Sequence, residues 1–327
     1  MIRRAALLSM MVFFLAVSSR PAAAAGDYPP PWPASDVTMT IPAGQGSETD
    51  ALFALLRDGL LEKTGKKLLP HYVSGRAGAD AWSRMVDDLP DGYVVTAVVL
   101  PDAFLRSLQP DSGVDLKTMA ICHIVAHMPA VLWVAEPNAI ANVNDFTDTA
   151  AGMNGNFLVA GPGRYSIAQV AARALARETG VRTTYIPYSD TVTAARAALN
   201  RQTGAFWGYS PRVTVPDFPA AVFKPLAVAA RERMPSLPDV PTFNQAGLNV
   251  VQGVYIGLAV PLDTPKITLQ EIDEFFAAYV KSPEFTRRAQ QLGFTPLSIG
   301  MEAVPTFLKE IEADARIMAE DYRLTEQ

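Results

Sequence analysis

Two short segments of the chain hold residue types suited to gripping an anion. Residues 161–166 read Gly-Pro-Gly-Arg-Tyr-Ser and lie between an apolar run, 156–160, and a helix-patterned run, 167–180. Residues 42–50, Pro-Ala-Gly-Gln-Gly-Ser-Glu-Thr-Asp, follow the strand-patterned run 36–41 in the same way. Glycines allow close backbone approach, and the first turn of a helix offers unpaired N–H groups at the positive end of its dipole. Arg164 adds a planar guanidinium that matches a carboxylate. Either loop alone also reads as a tight turn with a cap, Ser47 or Thr49 in one and Ser166 in the other. Two such mouths, one per domain and facing each other, would make a clamp.

Other reactive types are sparse. Three histidines occur, His71, His123 and His127. A His-x-x-x-His pair on a helix would present two rings to one ion, but 119–127 has the pattern of a strand. There the two rings stand about 13 Å apart by the ~3.3 Å rise, too far for one metal at ~2 Å bond lengths. Asp87, Asp88 and Asp91 read as a charged turn, and no nucleophile elbow, phosphate loop or dinucleotide fingerprint is present. No cofactor, metal or catalytic set is expected. Cys122, the only cysteine, excludes an internal disulfide and sits in an apolar run as a buried thiol.

The elements that must position the two mouths alternate. Residues 36–41, a helix with Leu52, Leu55, Leu56 and Leu60 on one face and Gly65 as its stop, and the continuous apolar run 93–100 come first. Two strands are expected at 119–127 and 130–136. Then follow 156–160, a helix carrying Ile167, Val170, Ala171, Ala174 and Leu175 to a stop at Gly180, a strand at 182–186, and a short helix over 191–199. Strands at 225–230 and 254–260 and helices near 267–281 and 301–320 complete the pattern. Strands alternating with helices predict an α/β fold of mostly parallel sheet with helices on both faces. In such sheets ligands bind beyond the carboxyl ends of the strands, where both glycine loops fall.

Arg3 and Arg4, an apolar stretch from Ala5 to Val17 and Ala23-x-Ala25 have the layout of a cleavable signal peptide, residues 1–25. The apolar part is too short to span a bilayer. The expected location is the periplasm. Removing the three arginines of that segment from 28 basic residues leaves 25 against 33 acidic ones, a net charge of −8. That balance disfavours nucleic acid and anionic membrane, so attraction for an anion must be local.

Four stretches, 89–95 (LPDGYVV), 186–190 (IPYSD), 226–248 (LAVAARERMPSLPDVPTFNQAGL) and 257–265 (GLAVPLDTP), together resemble the solute-binding receptors of tripartite tricarboxylate transporters, the Bug family. The similarity runs in order from about Ile41 to about Tyr322, and 237–248 is its most specific part. The resemblance implies a two-lobed, type II-like periplasmic-binding-protein fold, each lobe a mostly parallel sheet flanked by helices, with the ligand cleft between lobes. It implies capture of a small organic carboxylate and delivery to integral-membrane permease subunits; a monomer is expected, and no enzymatic activity. The lobes are expected at 26–130 with 252–327, and at 131–251.

Departures from the family pattern fall at the mouths. Gly46, Ser47 and Glu48 stand where a glycine pair and a small residue are usual. Gly161 and Gly163 match the second loop, whereas Arg164 replaces a serine and Ile167 a histidine. Pro187 and Tyr188 match the third, whereas Ser189 and Asp190 do not, and Gly204 takes a position that often carries an acid. The ligand-binding positions expected are Gly44, Gly46 and Ser47; Asp102; Gly163, Arg164, Tyr165 and Ser166; Tyr188 and Ser189; and Gly204, Trp207 and Tyr209. The aromatic members are flat walls if they face the cleft and packing residues if they face the cores. As walls, they favour a flat, partly apolar mono- or dicarboxylate over citrate. Glu48 either caps a helix, repels an anion or receives an amino group. The same fold signalling occupancy to a membrane histidine kinase is the alternative function, and a periplasmic hydrolase or isomerase a more distant one.

Overall fold

A computed structural model describes residues 31–210 and 222–322; the expected signal peptide lies outside them. Strand β1 (Val37–Ile41) pairs in parallel with β2 (Leu68–Tyr72) on one side and β3 (Val94–Leu100) on the other. β9 (Gly253–Pro261) runs antiparallel to β3 and carries the sheet to β4 (Met119–Ala135). Beyond β4 come β7 (Ala205–Tyr209), β5 (Leu158–Pro162) and β6 (Thr184–Tyr188) in that order. β8 (Phe223–Val228) and β10 (Thr295–Gly300) also pair with β4.

The two strands expected at 119–127 and 130–136 are one strand of 17 residues. Its first part, up to Pro129, pairs with β9, and its second part, from Ala130, pairs with β7 and β8. Pro129 has no N–H to give to a ladder, and it stands where β4 changes partners. Its carbonyl accepts from Ser210 N–H at 2.8 Å, while Ala130 N–H donates to Gln252 O at 2.8 Å. The proline marks a change of partner within one strand rather than a strand end.

Helix α1 (Glu48–Thr64) begins as its sequence dictates, the Ser47 side chain accepting from Asp50 N–H and Glu48 and Asp50 lying in the first turn. It stops at Gly65, whose left-handed φ of 71° a side chain would oppose. Leu52, Leu55, Leu56 and Leu60 are buried against the sheet, each contributing roughly 1.5–3 kcal/mol. Helix α5 (Ile167–Thr179) repeats the logic, with Ser166 accepting from Gln169 N–H and Gly180 left-handed at its end. α2 (Ala79–Trp82), α3 (Asp102–Ser107), α4 (Val143–Gly152), α6 (Thr191–Leu199), α7 (Lys266–Val280), α8 (Pro283–Leu292) and α9 (Val304–Asp321) complete the helices. β2, α2, α3, α4, β7, α8 and β10 add to the predicted pattern, and the expected helix at 301–320 begins three residues later, after β10.

β1, β3, β5 and β6 each lead into a helix, and the carboxyl ends of these strands and of β7 bring together the loops read above as mouths.

A candidate ligand cavity lined by three carboxylates

The mouth of α5 depends on Gly163. Its φ is +46°, and a Cβ there would stand 2.5 Å from the Cβ of Ala77, so only glycine fits the close approach of the two loops. Gly163 N–H donates to Tyr188 O at 2.7 Å, and Ala77 N–H donates to Ser189 O at 3.2 Å. Tyr165, also at positive φ (59°), donates its N–H to Gln169 Oε1 at 2.7 Å.

Three of the mouths meet at one small cavity of about 50 Å³. Pro42, Ala43, Glu48 and Thr49 line it from the first loop, Val99 and Asp102 from the end of β3, and Pro162 from the end of β5. Asp190 and Thr191 come from the start of α6 and Tyr209 from the end of β7, with Ala77 and Met128 completing the wall. Among the described residues, no lysine, arginine or histidine lines it. Its charged groups are three acids.

Each acid meets the N-terminus of a helix, a place that suits negative charge. Asp102, 3% exposed, accepts the N–H of Ile167, the first residue of α5, at 2.7 Å, and the Tyr209 hydroxyl at 3.2 Å. Asp190 caps α6 through Thr193 N–H at 2.8 Å, accepts Gly44 N–H from the first loop at 3.1 Å, and is also bonded by the Ser74 hydroxyl. Glu48, 5% exposed, accepts Tyr209 N–H at 3.2 Å. Tyr209 thus bridges Glu48 through its backbone and Asp102 through its ring.

Burial dominates the electrostatics here, because removing a carboxylate from water disfavours its charged form. It pushes Glu48 from 4.5 up to about 7, against the pull of the Tyr209 and Thr191 hydrogen bonds. It pushes Asp102 from 3.8 up to about 7, against the Ile167 and Tyr209 bonds and the charge of Arg106. The Tyr209 phenol is raised well above 10, by burial first and then by Asp102 and Glu48.

Of the positions read from the sequence, Asp102 and Tyr209 line the cavity, and Gly44 and Ser166 stand behind it, through the bond to Asp190 and as the α5 cap. Ser47 caps α1, Gly46 N–H donates to Asp50 at 2.8 Å, and Ser189 Oγ is 3.0 Å from Thr193 Oγ1. The others are not brought to the cavity. Arg164 is exposed and lines a separate surface groove with Gln169, Arg173 and Tyr185. Trp207, 1% exposed, stacks on Phe243 with centroids 5.6 Å apart. Gly204 precedes β7 while Tyr209 ends it, so about 16 Å of strand separates them at ~3.3 Å per residue. Tyr188 packs against the buried cluster that holds Trp133, Val192, Phe206 and Phe223, and Tyr165 lies under the Arg106 guanidinium at 5.6 Å. Tyr209 is therefore the only one of the four aromatics that lines the cavity.

Glu48 and Asp190 line the cavity although the sequence reading did not count them among the ligand-binding positions. Both signals are visible, as acids at the first turn or cap of a helix that follows a strand. The histidines take other roles: His123 Nδ1 lies 2.6 Å from Asp273 Oδ1 and Nε2 3.0 Å from Ser298 Oγ, and His127 stacks on Tyr255 at 4.7 Å.

Residues 53–320 match the model of the family described as "Tripartite tricarboxylate transporter family receptor". The periplasmic binding protein BugD superposes with a TM-score of 0.80 at 21% identity, over 90% of this chain and 99% of that one. The R. palustris protein Rpa4515, solved with adipate, gives 0.82 at 22% identity over 89% and 98%. MatC (Rpa3494) from Rhodopseudomonas palustris, solved with bound malate, gives 0.75 at 23% identity over 89% and 99%. The fold is that of the two-lobed periplasmic binding proteins, as the resemblance implied, but its sheet is mixed rather than mostly parallel, because β4 and β9 run antiparallel to the strands they pair with.

Proposed function

Since the chain belongs to the family of tripartite tricarboxylate transporter receptors, we propose that it is a periplasmic solute receptor, exported by residues 1–25, that closes on a small organic carboxylate and hands it unchanged to a membrane permease. In this reading residues 26–130 with 252–327 form one lobe and 131–251 the other, with closure about the crossings between them. The observation that carries the reading is the convergence of the α1, α5 and α6 N-termini on one cavity beyond the carboxyl ends of the strands. Helix N-termini so placed favour negative charge, and the related folds solved with adipate and malate have acids of the class this arrangement suits. With three of the four candidate aromatics away from the cavity, a flat aromatic body is no longer favoured over an aliphatic one.

The test is a melting-temperature screen of the purified chain against mono-, di- and tricarboxylates, with each solute recovered and identified afterwards. A bound acid at 100-fold excess over its Kd adds about 2.7 kcal/mol of apparent stability. The expected result is stabilisation by a subset of acids recovered unchanged. Stabilisation by none, or recovery of a converted product, contradicts the reading.

A further inference from the structure

The α5 mouth already holds a carboxylate, and it belongs to the chain. Asp102 reaches from α3, which follows β3, to the Ile167 N–H of α5 at 2.7 Å. A ligand oxygen bound at that helix end would compete for the same N–H, and a helix N-terminus has only a few such donors.

One turn along α3, Arg106 is 8% exposed, and its Nε is buried without a hydrogen-bond partner. Leaving a buried cation's donor unmet is costly, because desolvation is not recovered. The guanidinium sits directly at the mouth: its Cζ lies 5.6 Å from the Tyr165 ring centroid, and a Cβ on Gly163 would stand 3.0 Å from Nη2. Asp102 supplies charge to Arg106 without a hydrogen bond to it, since its two oxygens are directed at Ile167 and Tyr209. The cation at this mouth is therefore Arg106 of α3 and not the Arg164 that the sequence offers.

Resting on the receptor reading above, we propose that Asp102 is an internal stand-in for the ligand's carboxylate, and that Arg106 is the buried cation that receives that carboxylate when Asp102 gives up the α5 mouth. Asp102 then sets specificity by competition. It holds the empty site closed and admits only acids that bind Arg106 and the α5 N-terminus better than it does. The buried, readily protonated character of Asp102 fits this role, since a neutral side chain leaves a helix N-terminus more easily than a charged one.

The test is calorimetric titration of four proteins, the wild type, Asp102→Asn, Asp102→Ala and Arg106→Gln, with adipate and with malate. Circular dichroism and melting check that each is folded. Removing the competing charge in either Asp102 variant should tighten binding roughly tenfold, the scale of one charge-assisted hydrogen bond. Arg106→Gln should weaken it roughly 10- to 100-fold. If the wild type binds an acid and the folded Asp102 variants bind it equally or more weakly, the stand-in is overturned and the receptor reading stands. An unchanged affinity in Arg106→Gln overturns the part assigned to the cation. If none of the folded proteins binds either acid, the carboxylate reading falls for these acids and this inference with it.

Discussion

Replacing Glu48 by glutamine should make the protein more stable at alkaline pH and leave it nearly unchanged at acidic pH. Glu48 is fully buried at the start of α1, and burial raises its pKa from 4.5 to about 7. Between those values the folded chain holds a proton that the unfolded chain releases, so stability falls as pH rises through that window and the loss is complete above it. A difference of about 2.5 pH units at ~1.36 kcal/mol each sets an upper bound of about 3 kcal/mol. Glutamine keeps an oxygen to accept Tyr209 N–H and removes the charge. At ~2–4 °C per kcal/mol for a chain of this scale, the variant should melt about 5–10 °C above the wild type at pH 8. Scanning fluorimetry of both proteins from pH 5 to pH 8 reads the difference directly, and titrations common to both cancel. The two curves should converge near pH 5. Parallel curves, or a variant that melts lower at pH 8, would refute the argument that the buried charge is costly.

Trp207→Ala should cost about 3–5 kcal/mol of stability, the range for deleting a buried aromatic, because the ring is packed on Phe243; chemical denaturation measures it. Arg164→Ala should change stability by less than about 0.5 kcal/mol and leave carboxylate affinity within about twofold, since the side chain is exposed and away from the cavity; the titrations above read both. Cys122 should resist a thiol reagent in the native protein and react in denaturant, because burial pushes its thiol up to about 12; absorbance of the released chromophore follows it.

Much of the architecture was legible because local signals repeat. Ser47 and Ser166 at helix starts, Gly65 and Gly180 at helix ends, and the apolar run 93–100 each dictate one outcome locally. α8 has the same kind of signature, Ser282 and Pro283 at its start and Gly293 at its end, within what reads as the approach to a longer helix. The continuity of β4 was not legible, since a proline within an apolar run reads as a break until the change of partner is seen.

The loops that line the candidate cavity were legible, but the charges that face it were not. Which side chain faces the cavity depends on long-range placement that no local pattern encodes. Arg164 and Tyr165 are adjacent in sequence, yet one faces a surface groove while the other lies beneath Arg106. Asp190 was read only as a departure from the family's third loop; it caps α6, and only the fold brings Gly44 N–H to its second oxygen.

The most direct test of the receptor account is amide chemical-shift mapping of the labelled chain during titration with adipate and malate. The account predicts saturable shifts centred on Gly44, Ile167 and Tyr209, with the acid unchanged in solution. Shifts centred instead on the surface groove lined by Arg164, Gln169 and Tyr185, or conversion of the acid during the titration, would contradict it.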